Sequence, residues 1–411
     1  MHITKFKYLL ISMILACYFW YFTPIVSIIN RDLIWGMSML WAGIAFIISP
    51  QQNKKILLYK TKYTRFTYII LLGVFISMIN AYLFWGQNIS TTIITQRFIY
   101  VIITLPALLY LQPTFEDLKK ALKYISILTL GAWIISILSP SLIQSISIED
   151  IELRNDFSSE DIGYNVLGIQ FVTLYFYILV QDYIKSFSYK KFIQAIFWAI
   201  IILLYQNRSM LIGVIIILIY SIFKLKSKYK PLIIVCISIS LIIVLIYSSN
   251  IILSLIQETN DQLNNPDYNR WKALNYYLYD YSPNIWCYIF GNGLPAGGKS
   301  DFGNLMWTNM KEGIYGSDLG LIGMWADYGI LPIICIYYII YKILKYRYFP
   351  LYLKFLCIHI LLIPTIFHFW ENPNIYLFIL LFYLYSYHSE KIIYESKLPI
   401  NSSRYNNSLQ K

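Results

Sequence analysis

The chain has 411 residues, is 58% hydrophobic and has a mean hydropathy of +0.56. That is a membrane composition, and it excludes an ordinary soluble globular domain. The formal net charge of +12 implies no nucleic-acid partner, because the charges sort to opposite sides of a bilayer.

Apolar runs fall near 8–29, 33–49, 66–84, 97–111, 124–142, 163–184, 192–206, 209–223, 231–250, 317–341, 351–370 and 375–388. Each approaches the length that crosses a bilayer as helix. The expected fold is an all-α polytopic membrane protein of about twelve transmembrane helices, with one large extracytoplasmic loop. Lys5 and Lys7 precede the first run, but Phe22-Thr23-Pro24 offers no small-residue cleavage site, so that run is read as a retained span.

With the amino terminus inside, only Arg31, Arg97, Arg154, Arg208, Arg270, Lys272, Lys299 and Lys311 of the 33 Lys and Arg fall on outer segments. Most of the 21 Asp and Glu lie outside, six of them (Glu149, Asp150, Glu152, Asp156, Glu160 and Asp161) between 143 and 162. This is the positive-inside bias. It divides the chain into a nine-span bundle (1–250), a large outer loop (251–316), three last spans (317–390) and a polar cytoplasmic tail (391–411). Both termini are expected in the cytoplasm of a bacterial cell, with the bundle in its inner membrane and the loop periplasmic or extracytoplasmic. A single long helix over 192–223, burying Arg208, would invert every later loop and is the disfavoured reading.

Within the loop, Tyr268, Trp271, Leu274, Leu278 and Tyr281 fall near one helical face. They predict an aromatic amphipathic helix at the outer interface, closed by Pro283. The glycine-rich run 291–303 follows, expected as a flexible or tightly turned segment. Gly293 to Ser300 matches the nucleotide-binding pattern GxxxxGK[ST], whose mechanism needs a strand before it and a helix after it. Ile285–Phe290 could form a short strand, but Asp301-Phe302-Gly303-Asn304 starts a helix poorly. The surviving expectation is a backbone nest that, with Lys299, holds some phosphate.

Single arginines at outer span ends suit a lipid diphosphate, because a guanidinium forks onto phosphate oxygens. Arg208 and Arg270 lead, with Arg154 as a helper. No His/Cys cluster has metal-ligand spacing, so no metal or other cofactor is expected. His368 and Glu371 stand at an outer span end in Pro364 to Pro373.

Three segments resemble the O-antigen polymerase and O-antigen ligase superfamily. Tyr205-Gln206-Asn207-Arg208-Ser209-Met210-Leu211-Ile212-Gly213 resembles its "SRg" segment. Asn269-Arg270-Trp271-Lys272-Ala273-Leu274, followed by Gly291-Asn292-Gly293, resembles its "R..xW..A" segment leading to "GxG". Ser317-Asp318 through Gly329-Ile330-Leu331 resembles a segment reading roughly HNSYLEILAETGILG, with Asp318 in the place of the family histidine. The match covers about 205–331. The aspartate departs from the ligase branch and implies the polymerase branch.

The resemblance implies a metal-independent glycosyltransferase with a glycosyltransferase C-like bundle. Such an enzyme moves a growing glycan from undecaprenyl diphosphate onto the terminal sugar hydroxyl of another lipid-linked repeat unit. Asp318, Arg270 and Arg208 are the catalytic candidates. Arg154, Tyr268, Trp271, Gly291, Gly293, Lys299, Glu312, His368 and Glu371 are candidates for substrate binding. A chain-length-determining protein and the pathway flippase would be partners beside membrane lipid. The alternatives are a lipid-linked oligosaccharide flippase, which would carry mid-span charge and short outer loops, and an O-antigen ligase.

Overall fold

The computed structural model describes residues 4–17, 31–48, 61–138, 168–204, 208–224, 230–231, 234–235, 269–362 and 372–397. Among them all regular structure is helical. In chain order the helices are α1 (Lys5–Cys17), α2 (Arg31–Ile48), α3 (Thr61–Trp85), α4 (Ile89–Thr95), α5 (Thr104–Leu111), α6 (Phe115–Leu138), α7 (Ile169–Lys185), α8 (Tyr189–Leu204) and α9 (Arg208–Lys224). The loop and the last part of the chain add α10 (Asn269–Asn275), α11 (Ile285–Phe290), α12 (Asp301–Lys311), α13 (Leu321–Tyr328), α14 (Ile330–Lys345), α15 (Leu351–Leu362) and α16 (Asn372–Lys397). Short 3₁₀ segments cover Arg97–Ile103 and Gly316–Leu319.

Contacts between named residues fix the direction of the helices. Lys5 Nζ donates to the Gln112 carbonyl (3.0 Å), the Tyr383 hydroxyl donates to the Pro113 carbonyl (2.5 Å), and Lys119 pairs with Asp182. The starts of α1 and α6 therefore share one end of the bundle with the end of α7 and the middle of α16. Phe66 stacks on Phe382, which puts the start of α3 at this lysine-rich end and Trp85 at the other. Tyr175 meets Trp198 while Tyr183 meets Phe192, so α7 and α8 are antiparallel. Tyr183 bonds Ser221, and Gly213 lies under His359, which bonds Tyr177; α9 thus runs parallel to α7. Residues 192–204 and 208–223 consequently lie on two antiparallel helices rather than one long one, and Arg208 stands at the end opposite the lysines.

Helices α7 and α16 form the interior. Every residue of Ile169–Val180 and of Ile375–Tyr385 is buried. Their neighbours bury polar side chains and expose apolar ones. On α3, Thr67 and Ser77 are buried while Tyr68, Leu72, Phe75, Ile79 and Leu83 are exposed. Helix α8 exposes Ile193, Phe197 and Ile200, and α9 exposes Ile216, Ile219 and Phe223, each at helical spacing.

The twelve expected spans are not recovered as twelve long helices. Among the described residues, Tyr63–Trp85 alone is long and apolar enough to cross a bilayer by itself. The pair Ile89–Thr95 and Ile99–Leu111, bent by 69°, would make a second if counted as one span. The expected span at 97–111 begins as 3₁₀ helix. The expected span at 317–341 is cut by Gly320 and Gly329, whose φ of +53° and +79° cannot continue a right-handed helix. Most of 231–250, and the later parts of 8–29 and 351–370, lie outside the described residues.

Helix α6 starts from a reciprocal cap. The Thr114 backbone N–H donates to Asp117 Oδ2 (2.9 Å), and the Asp117 N–H donates to Thr114 Oγ1 (3.1 Å). The acid also faces the positive end of the helix dipole. Asp117→Ala should lower stability by about 1 kcal/mol, read as a fall in the denaturation midpoint of purified protein. Ser126→Ala, far from the cap, should leave the cap intact and serves as the control.

Candidate functional site

The described part of the loop, from residue 269, folds into a cap over the end of α3. Helix α10 runs into a π turn at Tyr276–Asp280, closed by the Tyr281 N–H on the Tyr276 carbonyl (2.8 Å). The wider turn shifts the face that the sequence predicts. Ala273, Tyr277 and Tyr281 are buried, whereas Trp271 is 43% exposed and Tyr268 lies outside the described residues. The buried face packs with Phe302, Met306, Ile314, Leu319 and Ala326 into the cap's own core, not against a lipid surface. Trp85 at the end of α3 closes this core by stacking on Phe302 (4.4 Å between centroids).

The glycine-rich run is tied down rather than loose. Asn80 Nδ2 donates to the Gly291 carbonyl (2.8 Å), Trp85 Nε1 to Asn292 Oδ1 (2.9 Å), and Gln87 Nε2 to the Leu294 carbonyl (2.9 Å). Gln87 Oε1 accepts the Ala296 N–H (2.9 Å) and the Ser300 hydroxyl (2.7 Å). The Lys299 N–H goes to the Ala296 carbonyl (3.1 Å). The Ala296 and Lys299 amides thus already face protein acceptors, while the Lys299 side chain is exposed.

The flanking expectations are corrected as well. Ile285–Phe290 is helix, capped by Asn284, whose Oδ1 accepts the Trp286 and Cys287 N–H groups. Asp301 opens α12, because the Ser300 hydroxyl accepts the Gly303 N–H (2.9 Å) and Asp301 sits in the first turn. A helix rather than a strand precedes the GxxxxGK[ST] match, so its phosphate-binding geometry is not formed.

Gly291 and Gly329 meet backbone to backbone. A Cβ on Gly291 would lie 2.4 Å from the Gly329 nitrogen, and one on Gly329 would lie 2.4 Å from the Phe290 carbonyl carbon. Both have φ near +80°. Beside this crossing the N–H groups of Asn292 and Gly293 donate to the carbonyls of Ala326 (2.9 Å) and Asp327 (2.8 Å). Asp327 is 1% exposed, and its Oδ1 accepts the Tyr281 hydroxyl (3.1 Å). Asp327 joins three parts of the cap, Tyr281 through its carboxylate and Gly293 through its backbone carbonyl, yet no site assignment from sequence included it. Its signal was a lone acid inside the apolar run 321–331, which must be buried with a partner.

The structure gathers some of the candidates and not others. Arg270 is the second residue of α10, and α10 packs against the turn Gly316–Leu319 that carries Asp318. Asn269 lies against Gly313, next to the exposed Glu312. Arg270 and Glu312 are therefore exposed around the turn of Asp318, of which the backbone alone is described. Gly291 and Gly293 are buried beneath the cap as structural residues. Arg208, also known here from its backbone, heads α9, which packs on α7, α8 and α15. It shares the cap's end of the bundle but not the cap's packing. Arg154, Tyr268, His368 and Glu371 lie outside the described residues.

Among the described residues no group of three or more His, Cys, Asp or Glu side chains is placed to hold a metal. Cys287 is buried, and burial pushes its thiol up to about 11, which unsuits it as a nucleophile. No family model, curated protein or solved structure matches this chain.

Gly291→Ala should destabilise the cap by at least about 1–3 kcal/mol, since it adds a backbone collision to a strained φ. Gly131→Ala on α6 meets open space and should be neutral or stabilising; denaturation midpoints of the two variants check this. Burial, and next the Asp327 charge, raise the Tyr281 phenol above its ordinary value of 10. A raised folded-state pKa contributes stability that is complete below pH 10 and is lost as pH rises beyond it. Raising the pH past 10 should therefore loosen the cap in the native protein, measured by proteolysis within 269–328, and less so in Tyr281→Phe.

Proposed function

We propose that this chain is a polysaccharide repeat-unit polymerase embedded in a bacterial cytoplasmic membrane, with its cap facing the extracytoplasmic side. The observation that carries the reading is the packing of Arg270's helix against Asp318's turn, at the end of the bundle opposite the lysines. The order of motifs in 205–331 and the exposed apolar faces of α3, α8, α9 and α14 support it. Soluble monomers rarely expose apolar area on this scale, whereas lipid requires it. About twelve spans, with both termini cytoplasmic, remain the topology that best fits the charge distribution.

In the proposed reaction the terminal sugar hydroxyl of one lipid-linked repeat unit attacks the anomeric carbon of the glycan carried by another. A new glycosidic C–O bond forms as the bond to the diphosphate breaks. The hydroxyl proton passes to the Asp318 carboxylate, and undecaprenyl diphosphate departs with the bonding electron pair. Arg270, with Arg208 from α9 at the same end of the bundle, stabilises the negative charge that grows on the leaving group. Glu312, Trp271, Lys299, Arg154, Tyr268, His368 and Glu371 are the proposed contacts to sugar and diphosphate. No cofactor is invoked; a chain-length-determining protein and the pathway flippase are the proposed partners.

Asp318→Asn and Arg270→Ala should each abolish chain extension while the protein accumulates in the membrane at normal levels. A strain lacking the chain should show surface glycan reduced to a single repeat on its carrier. Full-length glycan from both variants would overturn the site assignment, and loss of all surface repeats would favour a flippase. Leu72→Asp, on the exposed face of α3, should impair membrane insertion by about 2.5–3.5 kcal/mol. A water-exposed α3 would instead tolerate it within about 0.5 kcal/mol, so membrane-fraction yield separates the two surroundings.

A further inference from the structure

An open groove of about 570 Å³ runs between α14 and α15, lined by Tyr337, Ile340, Tyr341, Leu344, Lys345 and Leu361. It lies at the lysine-rich end, remote from the cap, and the proposed reaction makes no use of it. Its walls are apolar apart from the Tyr341 and Tyr337 hydroxyls, and Lys345 is the single charge among the lining residues. From Lys345 to Tyr337 the helix rises about 12 Å. One leaflet's hydrocarbon is about 15 Å deep.

Lys345 is held at the mouth of the groove. Its Nζ donates to the Tyr341 hydroxyl (2.8 Å) and sits 5.1 Å from the centre of that ring. Lys342 adds a second cation nearby, 5.3 Å from the Tyr338 ring and 5.6 Å from that of Tyr346. Lysines in the last turn of a helix favour its dipole. That accounts for their charge but not for an apolar groove beside them.

We propose that this groove binds an anionic phospholipid of the inner leaflet. One acyl chain lies along Ile340, Leu344 and Leu361, and the phosphate sits against Lys345, Lys342 and the Tyr341 hydroxyl. Charge complementarity selects this occupant: a diacyl phosphate lipid supplies an apolar tail of leaflet depth and one anion, matching the apolar walls and the basic mouth. Tyr337, Tyr341 and Leu361 are exposed on the same side as Ile334 and Tyr338, so the groove opens onto the apolar surface of the bundle and not into its core. The proposal rests on the membrane reading of α14 and α15 and is independent of the transfer reaction.

The test uses the full chain purified in detergent and titrated with phosphatidylglycerol or phosphatidylcholine of identical acyl chains, with retained lipid read by native mass spectrometry. The intact protein should retain phosphatidylglycerol in preference to phosphatidylcholine. Lys345→Gln should weaken phosphatidylglycerol retention about fivefold, the contribution of one lysine near a phosphate surface. Leu361→Trp, which fills the groove, should reduce retention of both lipids. Lys120→Gln, on α6, should match the intact protein. Inorganic phosphate at equal concentration should not compete, because it lacks the tail. Equal retention of the two lipids, an unchanged Lys345→Gln, or full competition by free phosphate would each overturn the assignment. A chain that stays folded and monodisperse without detergent would instead overturn the membrane reading beneath it.

Discussion

At Gly291 and Gly329 two segments cross with backbone atoms in direct contact, and the cap depends on that crossing. The N–H groups of Asn292 and Gly293 reach the carbonyls of Ala326 and Asp327 because no Cβ holds the strands of chain apart. Glycine at both positions also permits the positive φ that turns the loop back toward the bundle. Asn80, Trp85 and Gln87, from α3 and the residues just beyond it, then bind the loop's amides and carbonyls. Tyr281 reaches Asp327 from the far side. The described part of the large loop is thereby a packed extension of α3 and α13, and it is on this support that Arg270's helix meets Asp318's turn.

The bundle below buries some polar side chains within an apolar interior and carries many apolar side chains on its outside. Polar side chains such as Ser77, Asn80, Gln181 and His359 point inward, where groups from other parts of the chain meet them. Gly213 leaves room for the His359 ring that bonds Tyr177, bringing α7, α9 and α15 together. Small residues and buried hydrogen bonds of this kind bring helices close and tie them together. Large apolar side chains cover the outside.

Some of this was legible in the residues and some was not. Apolar runs showed that the bundle is helical but not where its helices break, and lysine clusters marked the end that Lys5, Lys119 and Lys345 occupy. The Thr114 and Asp117 cap could be read from spacing alone. The π turn at Tyr276–Asp280 could not, because an i to i−5 bond leaves no compositional mark, and the predicted apolar face was therefore rotated away from Ala273 and Tyr277. Ser300 followed by Asp301 carries an ordinary helix start that Gly303 obscured. Gln87 binds the glycine-rich run from about two hundred residues away, a pairing that single-chain patterning does not encode. Asp327 was visible only as an anomaly among apolar neighbours. For Arg270 and Asp318, their positions in ordered motifs led to the neighbourhood in which the fold sets them, whereas Arg208 stands on a separate helix.

A repeat-unit polymerase of the proposed kind needs its cap in the extracytoplasmic water. Lys299 is exposed on the cap, while Cys17, Cys287, Cys335 and Cys357 are buried. With the chain's own cysteines replaced and Lys299→Cys introduced, a membrane-impermeant maleimide applied to intact cells, with any outer membrane permeabilised, should label the protein. Labelling that appears only after the cytoplasmic membrane is broken would contradict the account.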